Sequence, residues 1–194
     1  MQTGPVTNPS IFLRLQQTDP APREMAWAEF HAQYAPMITA FAQRFGLPAH
    51  DVDDVVQDVM LGFFSKSPTF TYDPTKGRFR GYLKVCTHHA AQRKRQASHK
   101  TIASDPSRLD DVAIDHLWED VWEAELLRRT VQELRTEMGN TKAFQAFEQH
   151  VMFERPADSV ASSLQMHLNS VYRAKDQIVQ ILHQRLADRR HDVG

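Results

Sequence analysis

"HDVDDVVQDVMLGFF", His50 to Phe64, decides the fold class. Val52, Val55, Val56, Val59 and Phe63 recur at spacings of three and four, which draws one apolar stripe along a helix. Asp53, Asp54, Gln57 and Asp58 fall on the opposite side. Asp51 is placed to cap the helix start, where early acids also suit the positive end of the dipole. The polar side has two readings. One is a solvated helix face; the other is a rigid set of carboxylates and an amide offered to a partner with a basic surface. A metal site is disfavoured, because these acids lack a companion His or Glu at ligand-like spacing. As a face they are expected to have no internal pairing role.

Outward from this stretch the helical period continues. Upstream, Trp27, Phe30, Tyr34, Ile38, Phe41 and Phe45 keep it, with Pro36 predicting a kink or break. Gly46 followed by Pro48 reads as a helix stop. Residues 1–22 hold Pro5, Pro9, Pro20 and Pro22 with little periodicity beyond "IFLRL", and read as a flexible arm. Downstream, "SKSPTFTYDPTKG" breaks the pattern and must be a loop. Phe79, Tyr82, Leu83, Cys86 and Ala90 resume it. "ASDPSRLDD" reads as a linker; Leu117, Val121, Ala124, Leu127, Val131, Leu134 and Met138 then predict a long helix ended by Gly139-Asn140. Phe144, Phe147 and Val151 mark a short helix. No convincing strand or internal repeat appears. The expected fold is all-α, in two small helical domains joined by an acidic linker.

Net charge over the 194 residues is −1, so no whole-chain basicity announces a nucleic acid. The charge is nevertheless in blocks. Lys76 to Lys100 holds eight Lys or Arg and no acid, while Asp105 to Glu125 holds eight acids and one Arg. With no acids interleaved, pairing at i,i+4 within the basic segment does not account for its cations. Arg80, Lys84, His88 and Arg95 share a basic helix face, and Phe70, Tyr72, Phe79 and Tyr82 sit beside it. Cations that hold phosphates and rings that stack on bases suit single-stranded nucleic acid. Phe70, Tyr72, Lys76, Arg78, Arg80, Lys84, His88, Arg93 and Arg95 are therefore the DNA-binding candidates here; the bland alternative is a solvated basic face.

The end of the chain, "RPADSVASSLQMHLNSVYRAKDQIVQILHQRL", has the spacing of a short helix, a tight turn and a longer helix. In a DNA-reading helix-turn-helix the start of the second helix faces the base edges. That places Leu168, Asn169, Ser170, Tyr172 and Arg173 there; an αα-hairpin that only packs is the alternative. The single Cys86 excludes an internal disulfide framework, suits a reducing compartment, and lies on the apolar stripe as a small core residue. His88 and His89 point to different helix faces and make a poor metal pair. No nucleophile–base pairing, phosphate-binding glycine loop or zinc spacing is present, so neither an enzyme nor a cofactor nor a small-molecule substrate is expected. No apolar run approaches a membrane span, which places the chain in the cytoplasm.

The order of these pieces is more specific than any one of them. "DVDDVVQDV" followed by "GRFRGYL" resembles region 2 of the extracytoplasmic-function sigma factors of bacterial RNA polymerase, and "TKAFQAF", "DSVASSL" and "NSVYRAKDQIVQIL" resemble their region 4. The resemblance covers residues 23–100 and 125–187. It implies a region 2-like domain over 23–100, an acidic linker and helix start over 101–124, and a region 4-like helix-turn-helix domain over 125–190. It implies that Asp53, Asp54, Gln57 and Asp58 dock on core polymerase. Phe70 to Arg95 would open the promoter's −10 element, and Asn169, Ser170, Tyr172 and Arg173 would read the −35 element. The implied partners are core RNA polymerase and promoter DNA, with an anti-sigma factor as a further one that the family allows. His89, Gln165 and His167 depart from the family's usual Asn, turn Gly and capping Ser. Two rivals stand beside this reading: a two-domain DNA-binding regulator that never engages polymerase, and an interaction protein whose helix pair only packs.

Overall fold

The computed structural model describes residues 9–70, 79–99 and 111–192, and every regular element among them is helical. They divide into two compact units, the first ending at Glu125 and the second covering Leu126–His191.

In the first unit, α1 (Pro9–Leu15) is short and α2 (Pro20–Arg44) is long. Asp19 caps α2, its side chain accepting from the Ala21 N–H, and Pro20 takes the first helical position, where its missing N–H costs nothing. Of the kink or break expected at Pro36, no break occurs: the proline lies inside α2. An interior proline costs about 3 kcal/mol. Phe30 and Tyr34 before it, and Ile38 and Phe41 after it, are fully buried, and each such burial returns about 1.5–3 kcal/mol. Packing on both sides therefore outweighs the proline. Gly46 ends the helix in a left-handed conformation, φ 91°, with its N–H on the Gln43 carbonyl and the Leu47 N–H on that of Ala42.

α3 (Ala49–Lys66) follows, capped by the extended Pro48 rather than by Asp51, which lies inside the first turn and is buried. A 3-10 turn, Ser67–Thr69, leads out of it. α4 (Phe79–His99) completes an aromatic centre in which Phe30 stacks on Phe63 at 4.4 Å and Phe79 meets both rings at 5.7 and 5.4 Å. The flexible arm expected over residues 1–22 is not what residues 9–22 form: Ile11, Phe12 and Leu15 of α1 are buried in this same core. Three apolar residues in one turn and a half gave the amphipathic signal; the prolines around them masked it.

α5 (Asp111–Met138) begins in the first unit and continues into the second. Of the linker and helix start expected over 101–124, the helix begins at Asp111. Within the first unit its buried apolar residues are Ile114, Trp118, Val121 and Trp122, with Trp118 edge-on to Phe41 at 5.5 Å. The stripe is thus turned from the predicted one: the tryptophans lie in the core, and Leu127 is 44% exposed. The larger surface wins the buried side.

The second unit adds α6 (Lys142–Phe147), a π-helical turn (Glu148–Met152), α7 (Ala157–Ser163) and α8 (Leu168–Asp192). Thr141 caps α6 by accepting from the Phe144 N–H. Val151, expected inside that helix, is exposed on the π turn. Leu134, Phe144, Phe147, Ile178 and Leu182 form one cluster; Ala146, Ala157, Val160, Ala161, Val171 and Ala174 form another. Between those helices Gln165 adopts φ 51°. Its N–H reaches the Ser162 carbonyl and the Met166 N–H that of Ala161, the same closure that Gly46 makes. Lys142 donates to the Leu164 carbonyl and ties this turn to α6.

Two predictions follow from these registers. Trp118→Ala should destabilise the first unit by about 3–5 kcal/mol, whereas Leu127→Ala should change stability by about 0.5 kcal/mol or less, in chemical denaturation followed by circular dichroism. Gln165→Gly should be neutral or mildly stabilising and Gln165→Val should cost about 1 kcal/mol or more, because only the latter adds a branched Cβ to a left-handed residue.

Candidate nucleic-acid and partner interface

α4 carries most of the candidate chemistry, and its core contacts set its rotation. Phe79, Leu83, Ala90 and Ala91 are buried, which sends the cations to two flanks. Toward the helix start, Arg80 pairs with Glu119 of α5 and lies over the Trp122 ring at 5.1 Å, and the Lys84 ammonium donates to Asp115 at 2.7 Å. Toward the helix end, Lys94 donates to Asp54 of α3 at 2.5 Å and Arg93 lies 3.6 Å from Asp58. Arg95 sits 4.4 Å over the Phe45 ring. The expectation that Asp54 and Asp58 have no internal pairing role is therefore corrected. Their partners come from another helix, where spacing within one helix gives no sign of them.

The hydrogen bond and charge of Lys94 hold the Asp54 carboxyl below the usual carboxylate range, and Asp54 in turn raises Lys94. Both groups face water, so solvent screens the pair and its contribution to stability is small. Asp53 and Gln57 are exposed on the same face of α3, with no side-chain partner among the described residues. The four polar residues thus split into two that brace α4 and two that are open to a partner.

Of the aromatic candidates, Phe70 belongs to the core. Its ring lies 5.3 Å from both Phe12 and Phe63, and its carbonyl accepts from Gln16 at 2.5 Å. It anchors the start of the loop and does not stand free. Tyr72, Lys76 and Arg78 lie outside the described residues. Tyr82 is half-buried; burial, and then a hydrogen bond with Cys86, push its hydroxyl up to about 12. Tyr82, Cys86 and His89 help line a cleft of about 190 Å³ between α3 and α4, with Gly62 and Arg93 among the other walls.

His88 is half-buried with its ring edge-on to Phe45 at 5.7 Å. Burial foremost, then the neighbouring His89 and Arg95, lower its pKa, and Asp111 only partly offsets them. At neutral pH the imidazole is uncharged, so it is a weak phosphate holder.

In the second unit the start of α8 is open. Asn169 and Arg173 are exposed, and Leu168 and Tyr172 nearly half so. Ser170 is half-buried, its backbone N–H donating to the His167 carbonyl at 2.8 Å. The Tyr172 ring meets His150 edge-on at 5.8 Å.

These helices, in this order, have a known counterpart. Residues 30–101 match the family model for sigma-70 region 2. Over that span the chain is similar to sigma-70 region 2. The match takes in α2 from Phe30 onward, all of α3 and α4, and hence both the carboxylates of α3 and the cations of α4. No curated protein and no solved structure matches the chain significantly. Among the described residues no helix is long and apolar enough to cross a membrane, and no three His, Cys, Asp or Glu are grouped to hold a metal ion.

Sequence reasoning missed Asp115, Glu119 and Trp122 as neighbours of α4. The available signal was the equality of the two charge blocks, eight cations followed by eight acids.

The lowered pKa of His88 has a sign that thermal unfolding measures. The unfolded chain takes up this proton more readily, so stability should fall as pH drops below the ordinary histidine value of about 6.5. His88→Gln should lose less melting temperature than wild type between about pH 7.5 and 5.5, and an equal loss would refute the assignment.

Proposed function

We propose that the chain is an alternative sigma factor of the extracytoplasmic-function type. It binds core RNA polymerase and directs promoter recognition and DNA melting. The observation that carries this reading is the region 2 match over residues 30–101, since region 2 is the part of a sigma factor that docks on polymerase and opens the promoter.

Within it, Asp53 and Gln57 are the residues of the α3 face best suited to polymerase, being exposed and unengaged, with Asp54 and Asp58 beside them. α4 holds the separated strand with Arg80, Lys84, Arg93 and Arg95. Tyr72 is the aromatic to consider for stacking on an exposed base, because Phe70 is occupied in the core. Unstacking a base costs a few kcal/mol, and a ring that stacks on it recovers part of that. The second unit acts as region 4, reading the −35 element with Asn169, Ser170, Tyr172 and Arg173. Support comes from the helix–turn–helix order of α7 and α8 and from the exposure of the α8 start. Two weak DNA contacts on one polymerase-bound chain act together through effective concentration.

The test is affinity for purified core polymerase. Asp53→Lys with Gln57→Ala should weaken binding on the order of tenfold, about 1.4 kcal/mol, with helical content unchanged. These two positions are preferred to Asp54 and Asp58, whose replacement would also release Lys94 and Arg93. Undiminished binding would overturn the docking face. A wild-type chain that binds duplex DNA but not polymerase would instead be the two-domain regulator.

A further inference from the structure

The edge of α4 that should hold DNA is already covered by acids of the same chain. Glu119 pairs with Arg80 and Asp115 with Lys84. One turn further on, Asp111 acts electrostatically on His88. On α4 these positions are 80, 84 and 88; on α5 they are 119, 115 and 111. Each set steps by four residues, one helical turn, so the two edges run antiparallel, with an ion pair at each of the first two steps.

Apolar contacts hold α5 in this register. Ile114, Trp118, Val121 and Trp122 are buried beside the acidic edge, and Trp122 also covers the Arg80 guanidinium. Exposed ion pairs contribute little to stability, so the acids are not what keeps α5 in place. Their consequence falls on the cations. An arginine and a lysine that face carboxylates have no net charge to offer a phosphate, and any strand that binds there must first displace the acids.

We propose that the Asp111–Glu119 edge of α5 is a built-in competitor for nucleic acid, which weakens DNA binding by α4 until its acidic side chains are displaced. This rests on the reading that α4 holds the promoter strand. Displacement of these acidic side chains on assembly with polymerase would free Arg80 and Lys84 where they are used, and free chain would occupy DNA less.

The experiment uses the full-length free chain and a fluorescein-labelled oligothymidylate of about 12 nucleotides, titrated by anisotropy at several salt concentrations. Asp115→Asn with Glu119→Gln keeps shape and removes charge. Affinity at low salt should rise on the order of tenfold, and the log–log salt slope should steepen by about 1.4, two phosphate contacts at ~0.7 each. Adding Arg80→Ala and Lys84→Ala should abolish the gain. A gain that survives those two changes would reflect net charge alone and overturn the proposal, as would no gain at all. Holoenzyme carrying only Arg80→Ala and Lys84→Ala separates the two claims. If its promoter binding falls while the free-chain acid variant gains nothing, competition by α5 is wrong and the DNA role of α4 stands. If its promoter binding is unchanged, that DNA role fails and the competitor with it.

Discussion

The stacking of Phe30 on Phe63, closed by Phe79, is the contact on which the first unit depends. It brings one ring from each of α2, α3 and α4 to a single point. Large rings packed edge and face leave little freedom of rotation to the helices that carry them. α4 is therefore held with Phe79 and Leu83 inward, and the positions of Arg80, Lys84, Arg93 and Lys94 follow from that. The electrostatics of the first unit are consequences of an apolar constraint.

Those electrostatics form three layers. Carboxylates of α3 face one end of α4, and carboxylates of α5 face the other. A net charge of −1 is the sum of complementary surfaces and not the absence of charge. It also explains how a helix rich in cations is tolerated in a folded chain without acids in its own sequence. A partner that replaces one acidic layer with phosphates exchanges one set of ion pairs for another, so the difference in free energy is small and salt-sensitive.

The second unit shows the same economy at a turn. Gln165 occupies the left-handed position that closes α7, with both hydrogen bonds that such a closure requires. The departure from the usual glycine is therefore a local strain, held by the neighbouring Ala and Val packing and by the Lys142 bond to Leu164. The turn geometry survives the substitution, and with it the exposure of the α8 start.

Helical period, the stop at Gly46, the polar face of α3 and the division into two helical parts were legible in the sequence, because each is a property of neighbouring residues. So was the likeness to region 2, carried by "DVDDVVQDV" in α3 and by "GRFRGYL", of which Phe79 to Leu83 begin α4. Other features required the fold. Pro36 remains inside α2 because buried rings on either side outweigh it, and Phe12 enters a core that its own segment does not announce. Phe70 turns inward and Trp118 takes the buried side of α5. Above all, the partners of Arg80, Lys84, Arg93 and Lys94 stand 31 to 40 residues away in the chain, on other helices. Periodicity reports which side of a helix is apolar. Which charges meet across helices is decided only when the core sets each helix's rotation and register.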